Sequence, residues 1–166
     1  MKNKLLIYEL NELPRTLLNY YVKIQPYSNL SKFKKYGCDF DPFTTDKGEL
    51  HPWSTWPTFY RGVDNSKHKI TFLNQNRELD KKYPPIWEIL LKNNLSIGIF
   101  GSLQSFPPII NKNVKFYLPD TFAPNYNAIP EDLETFQRFN LKIVSNNSGE
   151  VRSIRFIEIK YFFKCI

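Results

Sequence analysis

The segment "YPPIWEILLKNNLSIGIFG", residues 83–101, constrains the fold more than any other part of the chain. Pro84 and Pro85 suit the first turn of a helix, where a missing N–H costs nothing. Ile86, Trp87, Ile89, Leu90 and Leu91 supply its apolar residues, and Asn93 and Asn94 close it. "LSIGIFG" follows at once as an apolar run of strand length. A helix feeding such a run predicts a strand buried in a parallel sheet with helices packed on it.

The same pattern recurs elsewhere. "KLLIYEL", residues 4–10, predicts a first buried strand whose C-terminal end opens onto a site. Pro14 starts a helical pattern with Leu17, Leu18 and Tyr21 at helical spacing. "SNLSKFKKYG" repeats it, with Leu30, Phe33 and Tyr36 on one face and Gly37 as the C-cap glycine. "CDFDPFTT" alternates like a strand, with Pro42 marking an edge. "VKFYLPD" predicts a short strand ending at Asp120, and "IPEDLETFQRFNLKIV" a helix with acidic residues in its first turn. In "VRSIRFIEIKYFFKCI", Ile157, Ile159 and Tyr161 alternate with polar residues. The expectation is an α/β chain, a mostly parallel sheet flanked by helices, in a single domain over residues 1–166.

Composition removes several classes. At 166 residues, 42% hydrophobic and 23% charged, the chain is that of a soluble globular protein. The net charge of +7 is scattered. Its densest groups are Lys32, Lys34 and Lys35, then Lys81 and Lys82, without an Arg-rich stripe, which argues against nucleic acid as a partner. Cys38 and Cys165 match no metal or redox spacing. The apolar start, broken by Glu9, is too short for a signal peptide, and no stretch is long enough to span a bilayer. A cytoplasmic protein without a membrane partner is expected.

Chemistry concentrates in "HPWSTWPTFYRGVDNSKHKI", residues 51–70, which holds both histidines and two of the three tryptophans. Pro57 suits a helix start and Gly62 its end. A hydroxyl at such a start either caps the helix or acts as a nucleophile beside free N–H groups. Ser54, Thr55 and Thr58 are all available for capping.

The segment resembles the nucleophile region of the alkaline phosphatase superfamily, in particular its type I phosphodiesterase and nucleotide pyrophosphatase branch. Thr55-Trp56-Pro57 matches a threonine, an aromatic residue and a proline. Gly62 matches a helix-ending glycine. His68-Lys69-Ile70 matches a His-Gly-Ile segment, with Lys69 in place of the glycine. The order of segments keeps the resemblance over roughly residues 4–105, through Pro26, Asn29-Leu30, Phe33, Gly37 and Ile97 to Gly101. The sulfatase branch fits less well, since Phe59 stands where that pattern has an arginine.

The resemblance implies the N-terminal portion of that fold and a metal-dependent hydrolase of phosphodiesters or phosphomonoesters. Thr55 is then the catalytic nucleophile, activated on a divalent metal, zinc or manganese. Asn11, Glu12, Thr55 and Asp120 are the candidate metal ligands, with Asn11 where the family carries an aspartate and Glu9 a second possible carboxylate. Trp56 and Tyr60 are candidates for substrate contact, and the partner is a small phosphorylated substrate. Such two-metal sites take about six or seven ligands. This chain has two histidines, so weak or absent turnover by an incomplete site is expected. His68 reads as structural and His51 as a surface residue. On residue type alone, Asn11 is also a helix cap, Glu9 and Glu12 are solvated, and Asp120 is a turn aspartate. The alternative to catalysis is a binding module whose aromatic-rich loop around Trp53, Trp56 and Tyr60 holds a ligand.

Overall fold

A computed structural model describes residues 4–40, 42–73, 75 and 81–144. The chain divides into two compact units, Met1–Phe43 and Thr44–Ile166. The alternating pattern at Ile157, Ile159 and Tyr161 lies outside the described residues.

The first unit holds α1 (Arg15–Ile24) and α2 (Asn29–Tyr36). Pro14 occupies the N-cap of α1, which has no side-chain cap, so Asn11 does not cap this helix. Ser28 caps α2 by accepting the Ser31 N–H at 3.1 Å. Ser31 Oγ in turn donates to the Gln25 carbonyl at 2.6 Å, tying the start of α2 to the end of α1. Ser31 is the buried residue of α2, while Phe33 and Tyr36, which share a face at helical spacing, are exposed. Gly37 ends the helix in extended backbone with φ −91, not left-handed.

Two expected strands are absent. Residues 4–10 are mostly exposed and join no ladder among the described residues, and neither do the described residues of 38–45. An apolar or alternating run states only which side chains suit a strand; the strand itself exists when a neighbour supplies the ladder.

The second unit holds α3 (Pro52–Arg61), α4 (Asn65–His68), α5 (Ile86–Lys92), β1 (Ile97–Phe100), β2 (Val114–Leu118) and α6 (Glu134–Val144). A 3-10 turn, Glu131–Leu133, leads into α6. β1 and β2 pair in parallel, Ile97 opposite Val114 and Phe100 opposite Leu118, with an irregularity between Ile97 and Gly98. The architecture is mixed α/β around this small parallel sheet.

β1 is buried on one face only: Ile97 and Ile99 point inward, Gly98 and Phe100 outward. The inward residues join Tyr60, Trp87, Leu91, Val114 and Tyr117 in one core, with Trp56, Ile86 and Leu90 packed against it. α5 thus sits on β1 as "PPIWEILLKNNLSIGIF" predicts. α3 contributes Tyr60, whose ring centroid lies 4.9 Å from that of Trp87.

Candidate functional site

α3 begins at Pro52, earlier than the sequence suggests, with His51 at the N-cap. Both Pro52 and Pro57 satisfy the local rule for a first helical position. The chain uses Pro52 there and carries Pro57 inside the helix. The glycine expectation holds: Gly62 ends α3 in the left-handed region at φ 63.

This shift changes what the hydroxyls do. A capping side chain accepts a backbone N–H, and His51 makes no such side-chain bond. Ser54 Oγ and Thr55 Oγ1 both donate to the His51 carbonyl, at 3.1 and 3.0 Å. Thr55 is half-buried and lies within the helix rather than at its tip.

The third hydroxyl sits in a denser network. Thr58 Oγ1 donates to Asp46 Oδ1 at 2.6 Å and lies 2.8 Å from His68 Nε2. His68 Nδ1 accepts the Ile70 N–H at 3.0 Å. That bond fixes the neutral tautomer, with the proton on Nε2 directed at Thr58. Asp46 Oδ1 also accepts the Asn65 N–H at 2.8 Å, and Asp46 Oδ2 is buried without a hydrogen-bond partner among the described residues. The imidazole is 2% exposed and gives its Nε2 proton to Thr58 rather than taking one, so it is not a base for that hydroxyl. The network locks α3 to α4 and to the loop before α3. It agrees with a structural role for His68.

The carboxyl ends of β1 and β2 gather buried polar side chains. Beyond β1 come Gln104 and Ser105; beyond β2 comes Asp120. Gln104 Nε2 donates to the carbonyl of Trp53 in the first turn of α3 and, at 3.2 Å, to that of Phe72. Tyr117 donates its hydroxyl proton to the Ser105 carbonyl at 2.6 Å, and Gln137 of α6 donates to the Asp120 carbonyl at 2.9 Å. Asp120 Oδ1 accepts the Phe122 N–H at 2.8 Å, the geometry of a turn aspartate. Burial pushes the Asp120 carboxyl above its usual range, against opposing hydrogen bonds from neighbouring backbone.

Thr55 and Asp120 each already have a partner within the chain. The hydroxyl donates to a backbone carbonyl, and one carboxylate oxygen of Asp120 accepts a backbone N–H of its own turn. Asn11 and Glu12 belong to the first unit and are exposed, Glu12 with left-handed backbone at φ 54. Among the described residues, no three His, Cys, Asp or Glu side chains come together as a metal-holding group.

Of the aromatic candidates, Tyr60 is a core residue at 4% exposure and Trp56 packs half-buried on the same core. The Tyr60 ring packs on that of Trp87. The ring pair nearer the surface is His51 stacked on Trp53, with centroids 5.1 Å apart and planes 18° from parallel. His51 Nε2 lies 3.4 Å from the carboxylate of Glu49, whose side chain is exposed. Asp46 and Gln104 do not stand out in the sequence. An internal proline offers the one signal for Gln104, because a helix carrying it needs a donor from elsewhere.

No family model, curated protein or solved structure matches the chain. No helix among the described residues is long and apolar enough to cross a membrane.

Proposed function

We propose that the chain acts on phosphate esters at the carboxyl edge of its parallel strand pair, as a hydrolase of alkaline phosphatase type with Thr55 as nucleophile. One observation carries the reading. The first turn of α3 is bonded through Trp53 to Gln104 in the loop beyond β1. Open α/β sheets bind ligands just outside the carboxyl ends of their parallel strands.

In this reading Thr55 Oγ1 exchanges its bond to the His51 carbonyl for a bond to phosphorus. The hydroxyl proton leaves with the departing alcohol, and water then cleaves the phosphothreonine ester. A divalent cation, zinc or manganese, belongs to the reading only through the resemblance of "TWPTFYRGVDNSKHKI".

A second reading, a binding module without catalysis, is favoured by the Thr55 hydroxyl being held by its own helix. One experiment separates the two. The chain is incubated with a chromogenic aryl phosphate and manganese, quenched in acid and mapped by mass spectrometry. Phosphoryl transfer to Thr55, lost in Thr55→Ala and kept in Thr58→Ser, is the hydrolase result. Unlabelled protein that still binds the ester is the binding-module result.

A further inference from the structure

An α-helix joins the N–H of each residue to the carbonyl four positions earlier, and Pro57 has no N–H to offer the Trp53 carbonyl. That carbonyl is met all the same, by the side-chain amide of Gln104. The donor is built for the task. Gln104 is 6% exposed, and its backbone stands at φ 58, in the left-handed region that favours glycine. The same amide nitrogen also reaches the Phe72 carbonyl, so one side chain gathers the α3 turn, the segment after α4 and the loop beyond β1.

We infer that Gln104 is a positioning residue: its amide supplies the hydrogen bond that Pro57 withholds, and so clamps the α3 turn preceding Thr55 to the loop beyond β1. The clamp stands on its own geometry; only its bearing on Thr55 as a nucleophile rests on the hydrolase reading. The pairing also explains how a proline is carried within α3. Its missing bond is replaced from another element rather than left unmade.

The test is a cycle of four proteins: wild type, Gln104→Leu, Pro57→Ala and the double variant. Urea unfolding reads the first half. Gln104→Leu lowers the folding equilibrium constant about tenfold when Pro57 is present, the usual consequence of losing one part-buried hydrogen bond. In the Pro57→Ala background the restored backbone N–H reaches the Trp53 carbonyl, and Gln104→Leu costs about threefold or less, from the Phe72 bond common to both backgrounds. Equal losses in the two backgrounds overturn the compensation. Where Gln104→Leu alone does not fold, the double variant still does, and an unfolded double variant overturns the inference too.

Hydrogen exchange reads the second half, which a purely structural plug would not move. The Ser54 and Thr55 amides, both bonded to the His51 carbonyl, exchange about tenfold faster in Gln104→Leu. They stay fast in the double variant even though global stability has returned, because the tether to the β1 loop is still missing. Wild-type exchange in the double variant overturns the positioning role. Neither readout depends on turnover, so a failed phosphoryl-transfer experiment leaves this result standing and its own failure is separately visible.

Discussion

Thr58→Val removes one oxygen from the centre of the network that joins α3, α4 and Asp46. Thr58 Oγ1 donates to Asp46 at 2.6 Å and receives His68 Nε2–H at 2.8 Å; a weaker approach to the Ser54 carbonyl, at 3.2 Å, cannot share the single proton. Valine has the same shape without the oxygen. Losing a hydrogen bond to a carboxylate costs about 1.5–3 kcal/mol. Taking the acceptor away from a buried imidazole N–H costs about 1–3 kcal/mol more. The added methyl returns about 0.8 kcal/mol. The balance is a loss of about 3 kcal/mol, a large part of the roughly 5–15 kcal/mol that holds a domain together. Urea unfolding of the full chain, followed by tryptophan fluorescence, measures it against Thr58→Ser. Serine keeps the oxygen, gives up one methyl and loses about 1 kcal/mol. A Thr58→Val protein within about 0.5 kcal/mol of wild type, at an unchanged urea slope, refutes the network as a determinant of stability.

Two further outcomes follow from the same geometry. Burial raises the Asp120 carboxyl above its usual value, so the native state binds that proton more tightly than the unfolded state does. Its contribution therefore improves as pH falls from above the raised value towards the ordinary carboxylate range, and worsens as pH rises through that window. Asp120→Asn keeps an oxygen acceptor for the Phe122 N–H and removes this dependence. The urea midpoint of wild type is expected to rise relative to that of Asp120→Asn on acidification from about pH 7 to about pH 4, and a constant difference refutes the assignment. Gly62 closes α3 at φ 63, and a Cβ placed there meets nothing within 4 Å. Gly62→Ala thus costs conformational strain alone, about 1 kcal/mol, and Gly62→Asn less, both read from urea midpoints.

The parts of this chain that could be read in advance are those decided within one or two turns of sequence. Pro85 followed by Ile86 and Trp87 starts α5 because the rule for a first turn is local, and Asp120 forms its turn with a residue two positions on. Gly62 ends α3 for the same kind of reason. What could not be read depends on distant partners. Residues 4–10 look like a strand in composition, but a ladder needs a neighbour that no local pattern names. Pro57 looks like a helix start because its own ring fits one; what lets it sit inside α3 is an amide on Gln104, in another loop. Asp46 lies in a stretch that reads as plain loop, and its partner Thr58 reads as one of three equivalent hydroxyls.

The three hydroxyls of α3 are separated by their surroundings rather than by their chemistry. Ser54 and Thr55 give their protons to the same backbone carbonyl, and their loss removes no buried charge partner. Thr58 alone meets a carboxylate and an imidazole, the residue types that activate a hydroxyl in enzymes, yet its proton already points at Asp46 and the imidazole proton points at it. With the nearest acid and base spent on holding the helix, Thr58 is the anchor of α3. Ser54 is buried and Thr55 half-buried, so in the proposed reading Thr55, beside the turn that Gln104 clamps, is the more accessible hydroxyl released at the cost of one backbone bond. The difference in partners, rather than the identity of the side chain, makes Thr58 the residue whose loss is read in stability, while labelling of Thr55 tests the proposed reading.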